Sequence, residues 1–226
     1  MIKISKLILI VSFLFFQNLR SEEYKKLNYV EMEIYRNNQI IGYSKYQFFK
    51  NDNVLKVINK TKFNIKIFGV NLFSIDSLGT EIYDNDQLIS FTSKTLQNKK
   101  EKYVKLKLLE NKNQFYIDGS SYKGKANVKN VIGNWWNHKI LDTSSQISPL
   151  SGSVKKQLVV FKKEEIINQF GKNILTKKFS LKSAEINLPD DKRLNFEIWI
   201  DPKTKLIHKV SYERLGIWEY KLKKYN

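Results

Sequence analysis

From Leu55 to Ile67 the chain alternates apolar and polar side chains almost residue by residue. Leu55, Val57, Phe63, Ile65 and Ile67 share one parity, and Lys56, Lys60, Lys62, Asn64 and Lys66 the other. Successive side chains of a strand leave opposite faces, so this period fits a strand buried on one side and wet on the other. Asn59 and Thr61 interrupt the apolar row, which puts its middle at a rim or along a cavity. After a turn near Gly69, Leu72, Phe73 and Ile75 restart the pattern toward Tyr83. Gly79 inside this second run predicts a bulge or a close backbone approach. Asp84-Asn85-Asp86 is a turn signal, because short Asx side chains bond the local backbone and tolerate left-handed geometry. Leu88 to Leu96 completes a three-strand meander.

The same reading extends in both directions. Tyr29–Arg36, a turn at Asn37-Asn38 and Ile40–Phe49 precede the meander; Tyr103–Leu109 and Gln114–Asp118 follow it. Residues 29–118 are thus predicted to form seven sequential antiparallel strands. Further strands are predicted over Val154–Phe161, in a short hairpin that follows through Ile166-Ile167 with Gly171-Lys172-Asn173 as its second turn, and over Ile174–Leu181. Leu194–Ile200, Leu206–Tyr212 and Ile217–Leu222 complete the set. All three prolines fall between these segments, as strands require. Residues 119–153 are different: a long connection holding Trp135-Trp136-Asn137-His138, with a short helix expected within Asn134–Leu141. The predicted fold class is all-β and mainly antiparallel, a single large curved sheet or open half-barrel with a long, partly irregular loop. Such a sheet has one apolar face that must be covered, and residues 119–153 are the candidate cover.

Residues 1–21 read as a secretory signal peptide: Lys3 and Lys6 precede an apolar stretch, Leu7–Phe16, too short to span a bilayer. Residues 22–226 then form a single β-rich domain that is not membrane-spanning, and the expected destination is the periplasm. Cys is absent, which excludes disulfides, thiol catalysis and thiolate metal sites. The formal charge is +18, and +15 without residues 1–21, which carry three cations and no acid. The cations are 36 Lys and only 4 Arg, dispersed along the chain. Base and phosphate recognition favours Arg, so no nucleic-acid partner is expected; a solvated or lipid-facing exterior is the reading preferred.

No catalytic constellation emerges. His138 and His208 stand outside any metal-binding spacing, no nucleophile elbow or phosphate loop occurs, and no metal or cofactor is implied. Glu81 lies within a strand pattern, where a paired structural carboxylate is expected. The candidate ligand contacts are Phe63, Ile65 and Ile67 on the apolar strand face and Trp135 and Trp136 in the loop, since aromatic residues supply large contact area at a pocket.

Several segments in order carry a resemblance. They are Ile34-Tyr35-Arg36-Asn37-Asn38-Gln39-Ile40-Ile41-Gly42-Tyr43, Phe63-Asn64-Ile65-Lys66 before Gly69, Glu81-Ile82-Tyr83 before Asp86-Gln87-Leu88, Trp136-Asn137, and Trp199-Ile200-Asp201 with Lys205-Leu206-Ile207. Over roughly residues 30–222 the chain resembles an uncharacterised family of exported proteobacterial proteins, a domain of unknown function. The resemblance implies export and a β-rich fold but no activity. More distantly, the meander and the Trp199–Asp201 turn resemble the open half-barrels of periplasmic lipoprotein carriers, which hold acyl chains in an apolar concavity. The resulting expectation is a non-enzymatic envelope protein that binds a lipid, lipoprotein or other apolar ligand. The alternative is a structural or assembly partner of another envelope protein.

Overall fold

A computed structural model describes residues 26–67, 69–110, 113–190 and 192–226, the side chain of Ile67 excepted. The proposed signal peptide lies outside these residues. Fifteen strands form one sheet. They are β1 (Tyr29–Arg36), β2 (Gln39–Asn51), β3 (Val54–Ile67), β4 (Val70–Asp84), β5 (Gln87–Gln97), β6 (Lys100–Leu108), β7 (Gln114–Gly119), β8 (Lys123–Asn127), β9 (Val131–Ile132), β10 (Ser145–Ile147), β11 (Val154–Gln169), β12 (Lys172–Ser183), β13 (Asn195–Ile200), β14 (Ile207–Glu213) and β15 (Ile217–Tyr225). Their spatial order is β8 back to β1, then β15 back to β9, and the sheet does not close into a barrel. Every pairing is antiparallel except β9 with β10. The first seven strands match the predicted meander.

The turns follow from their residues. Asn37-Asn38, Asn85-Asp86 and Asn98-Lys99 each carry two consecutive positive φ angles, the geometry that matches the twist of a tight hairpin. The break expected between Phe161 and Ile166 does not occur. β11 runs unbroken from Val154 to Gln169 and turns only at Phe170-Gly171. Lys162-Lys163-Glu164-Glu165 contains no residue that favours a turn, and the chain absorbs the irregularity there as a bulge after Phe161. The long connection is more regular than predicted, because it contains β8, β9, β10 and a 3-10 helix at His138–Leu141.

Inner and outer faces are set by parity. Val30, Met32 and Ile34 of β1 are buried, as are Leu222 of β15 opposite Met32 and Val57, Phe63 and Ile65 of β3. Gly42 faces inward between Ile34 and Phe63. A Cβ there would stand 2.1 Å from the Lys62 carbonyl oxygen and 2.4 Å from Phe63 Cβ. Gly42→Ala is therefore expected to destabilise the protein by about 1–3 kcal/mol through overpacking, read as a lower urea midpoint. At Gly79 the predicted close approach is to a side chain: a Cβ would lie 3.2 Å from the Phe91 ring, and the nearby bulge falls instead between Ile82 and Tyr83.

Candidate functional site

The inner face is banded. Near one end it is apolar, with Phe48, Val57, Tyr83, Leu88 and Phe91 in one cluster. Across its middle runs a belt of small polar residues contributed by four neighbouring strands: Ser44, Asn59 with Thr61, Ser77, and Ser93 with Thr95. Their groups bond one another. Ser44 and Thr61 hydroxyls lie 2.7 Å apart, Asn59 Nδ2 donates to Ser44 Oγ at 3.1 Å, and Ser77 and Thr95 hydroxyls lie 2.7 Å apart. Beyond the belt the face is apolar again, with Ile34, Phe63, Ile65, Ile75 and Trp218.

Residues 128–153 cover this face. Ile132, Trp136 and Ile147 pack into the first apolar cluster and Leu150 against the last, while Ser93 Oγ donates to the Pro149 carbonyl at 2.6 Å. Gly119 and Gly152 allow the backbone to come close. A Cβ on Gly119 would meet the Ser151 carbonyl oxygen at 2.6 Å. The segment is also held by buried amides: Gln146 Nε2 donates to Gln157 Oε1 at 2.7 Å, and Gln157 Nε2 donates to the Ile140 carbonyl at 2.7 Å.

Its strongest anchor is Glu81, which is only 1% exposed. Oε1 accepts from Asn134 Nδ2 at 2.6 Å and from Trp136 Nε1 at 2.9 Å, and Oε2 accepts from the Tyr83 hydroxyl. Next to it the Trp135 N–H donates to the Tyr46 hydroxyl at 3.3 Å, whose pKa is pushed up to about 12, mainly by burial. Burial also raises the Glu81 pKa above its usual 4.5, against the pull of its three donors. The folded state therefore binds this proton more tightly than the unfolded chain does. Its contribution to stability is complete below the ordinary carboxylate range and is lost as pH rises through the raised value. Glu81→Gln is expected to remove this component, so the difference in urea midpoint between the two proteins should change with pH over that window and level off on either side.

The predicted contacts separate into two groups. Trp136 is 3% exposed and meets Phe48 and Tyr83 edge-on at 5.3 and 5.9 Å, so it is a core residue of the cover. Trp135 is half-buried and opens a run of rings along the inner face. Trp135 meets Phe196 at 5.0 Å, Phe196 meets Tyr212 at 5.3 Å, Tyr212 stacks on Trp218 at 5.4 Å, Trp218 meets Phe63 at 5.5 Å, and Phe63 meets Phe73 at 5.8 Å. Trp135, Phe196, Tyr212 and Phe73 remain half-buried. Ile65 belongs to the Phe63 cluster; the Ile67 backbone pairs with Val70, and its side chain lies outside the described residues. Phe73, Phe196 and Tyr212 escaped the sequence reading because they come from three distant segments. None of the candidates lines the cleft of about 460 Å³ at the ends of β1, β2 and β15, whose walls include Asn28, Glu31, Gln47 and Lys224.

Glu81 and His208 have different partners. His208 Nδ1 lies 2.6 Å from Gln169 Oε1, and burial lowers its pKa. Trp199 lies on the outer face between Lys178 and Lys209, whose ammonium groups sit 4.6 and 4.8 Å from its ring.

Comparison with known proteins adds the following. The family described as Domain of unknown function (DUF6134) matches residues 32–223. No curated protein matches the chain. The crystal structure of a beta-barrel-like protein of Domain of Unknown Function DUF1849 from Brucella abortus is similar, with a TM-score of 0.60 at 11% identity, over 88% of this chain and 97% of that one. At that identity the similarity speaks for the fold alone.

Proposed function

We propose, for a chain that belongs to this family of unknown function, a non-enzymatic role in the cell envelope: after export it binds an apolar or amphipathic ligand, such as a lipid or the acyl chain of a lipoprotein, on the inner face of its open sheet. The observation that carries this reading is the run of rings from Trp135 to Phe73, half-buried at several positions and built from elements far apart in sequence. Aromatic rings supply large contact area, and pockets for apolar ligands are lined predominantly by such side chains. The Lys-rich exterior supports attraction to anionic head groups. The residues that Trp136 packs against are not part of the proposed surface, because the cover already fills that region.

Native mass spectra of the protein purified from a bacterial envelope, before and after solvent extraction, test this. The expected result is a bound mass that extraction removes and that Phe196→Ala with Tyr212→Ala reduces. A ligand-free mass unchanged by extraction overturns the reading. A second reading, assembly with another envelope protein, is favoured by one specific feature: among the described residues β11 is paired along only one side over most of its length.

A further inference from the structure

Neighbouring strands run antiparallel, so successive connections lie at alternate ends of the sheet. From β6 to β12 in spatial order, the β1–β2, β3–β4, β5–β6, β12–β13 and β14–β15 connections share one end, and the β2–β3, β4–β5 and β13–β14 connections the other. The two ends differ in chemistry. With their flanking residues, the connections of the second end carry Asp52, Asp84, Asp86 and Asp201 against Lys203 and Lys205. At the first end cations outnumber acids, and all the arginines of residues 26–226 are there: Arg36, Arg193 and Arg214. The first end also presents large apolar side chains to solvent. Leu215 is 85% exposed, Ile186 86%, Val70 62% and Ile40 60%. Leu215 has a φ of 52°. A branched apolar residue is strained in this left-handed region, where the β1–β2, β4–β5 and β5–β6 turns place Asn37, Asn85 and Asn98. Phe170, in the β11–β12 turn, also has a positive φ, but its ring packs against Tyr225 at 6.2 Å. Arg36 donates to the Leu215 carbonyl, and Arg193 to the Leu188 and Ile186 carbonyls at 2.6 and 3.4 Å. Each of these guanidinium groups thus stands beside an exposed apolar tip, although Arg193 also pairs with Asp190 at 3.1 Å.

We infer that this end of the sheet docks on a lipid bilayer that carries anionic head groups. Leu215 and Ile186 enter the boundary of the acyl chains, and the arginines meet the lipid phosphates, whose geometry suits the guanidinium fork. Single exposed apolar residues are ordinary on a protein surface. Several of them at one end, accompanied by every arginine of the described residues, make the pattern of a peripheral membrane contact. The acidic turns of the opposite end are repelled by the same surface, so the charge asymmetry also sets which end faces the lipid. The cost of holding Leu215 at a positive φ is offset when its side chain leaves water for lipid. The aromatic run reaches this end too: Phe73 follows the β3–β4 turn, and Tyr212 and Trp218 flank the β14–β15 turn. Docking does not depend on a ligand being held by that run.

The test is flotation of the protein, purified from a bacterial envelope, with vesicles of phosphatidylcholine alone or of equal parts phosphatidylcholine and phosphatidylglycerol. Binding to the mixed vesicles is expected to be about tenfold tighter or more, and to weaken as salt rises. Leu215→Asn places in the turn a residue that tolerates its φ, so the urea midpoint should hold or rise while affinity for the mixed vesicles falls about tenfold. Arg214→Gln should lower that affinity about fivefold and leave binding to phosphatidylcholine unchanged. The chain has no Cys. A polarity-sensitive dye on Asn187→Cys, in the β12–β13 connection, should therefore shift to the blue with mixed vesicles, and one on Asn53→Cys, at the opposite end, should not. Equal binding to the two kinds of vesicle, a Leu215→Asn variant that binds as tightly as wild type, or a blue shift at Asn53 overturns the inference. A bound mass in the native spectra together with no vesicle binding would keep the ligand reading and remove this one.

Discussion

Replacement of Glu81 by Ala is expected to lower unfolding stability by about 3 kcal/mol, which urea denaturation at neutral pH will read as a fall in midpoint at nearly constant slope. Three donors lose their acceptor together: the Tyr83 hydroxyl, Asn134 Nδ2 and Trp136 Nε1. Each buried group left unpaired costs about 1–3 kcal/mol. Removing the desolvated carboxylate returns part of that, since a buried acid is itself unfavourable when charged. Three orphaned donors outweigh one relieved acid, so the sign is destabilising. Glu81→Gln keeps an acceptor and should cost clearly less. A midpoint unchanged in Glu81→Ala would show that residues 128–153 do not depend on this anchor.

Trp136→Ala is expected to cost more, about 3–5 kcal/mol, in the range for emptying a large buried aromatic site. The indole is enclosed by Phe48 of β2 and Tyr83 of β4 and ties these strands to the cover. Its loss also takes one donor from Glu81. The two changes share a hydrogen bond, so the double variant should lose less than the sum of the singles by more than about 0.5 kcal/mol. Additive losses would mean that the ring acts by volume alone. Trp136→Phe, which fills most of the space without the N–H, should fall between wild type and Trp136→Ala.

How far these features can be read from sequence depends on how local their causes are. The meander was legible because strand parity and the Asx turns are properties of adjacent residues, and the all-β class followed from their repetition. The charged block in β11 was misread as part of a hairpin, because a run of polar residues between apolar ones resembles a turn; nothing in Lys162–Glu165 supplies positive φ, and the strand continued. Asn59 and Thr61 were visible as gaps in one apolar row. That they align with Ser44, Ser77, Ser93 and Thr95 into a belt is a matter of register between strands, which no single row displays. Glu81 was legible as a buried acid, yet its partner Trp136 lies 55 residues away. The Trp pair therefore read as one unit in a loop, although the sheet sends the two rings to different places: Trp136 into the core, Trp135 to the aromatic run.

The pairing of the first strand with the last has a kinetic consequence. β1 and β15 adjoin in the interior of the sheet, over Val30–Arg36 against Trp218–Tyr225, while the sheet's two ends, β8 and β9, are separated in sequence only by residues 128–130. A chain emerging amino-terminus first can zip β1 through β8 as local hairpins, and later β11 through β14, but the seam joining these two halves waits for the final nine-residue strand. That closure spans nearly the whole chain, so it carries the largest loop entropy in the fold and should set the slowest folding step. Until it forms, β1 has one edge open, and the chain is committed to its native sheet only once it has been delivered in full.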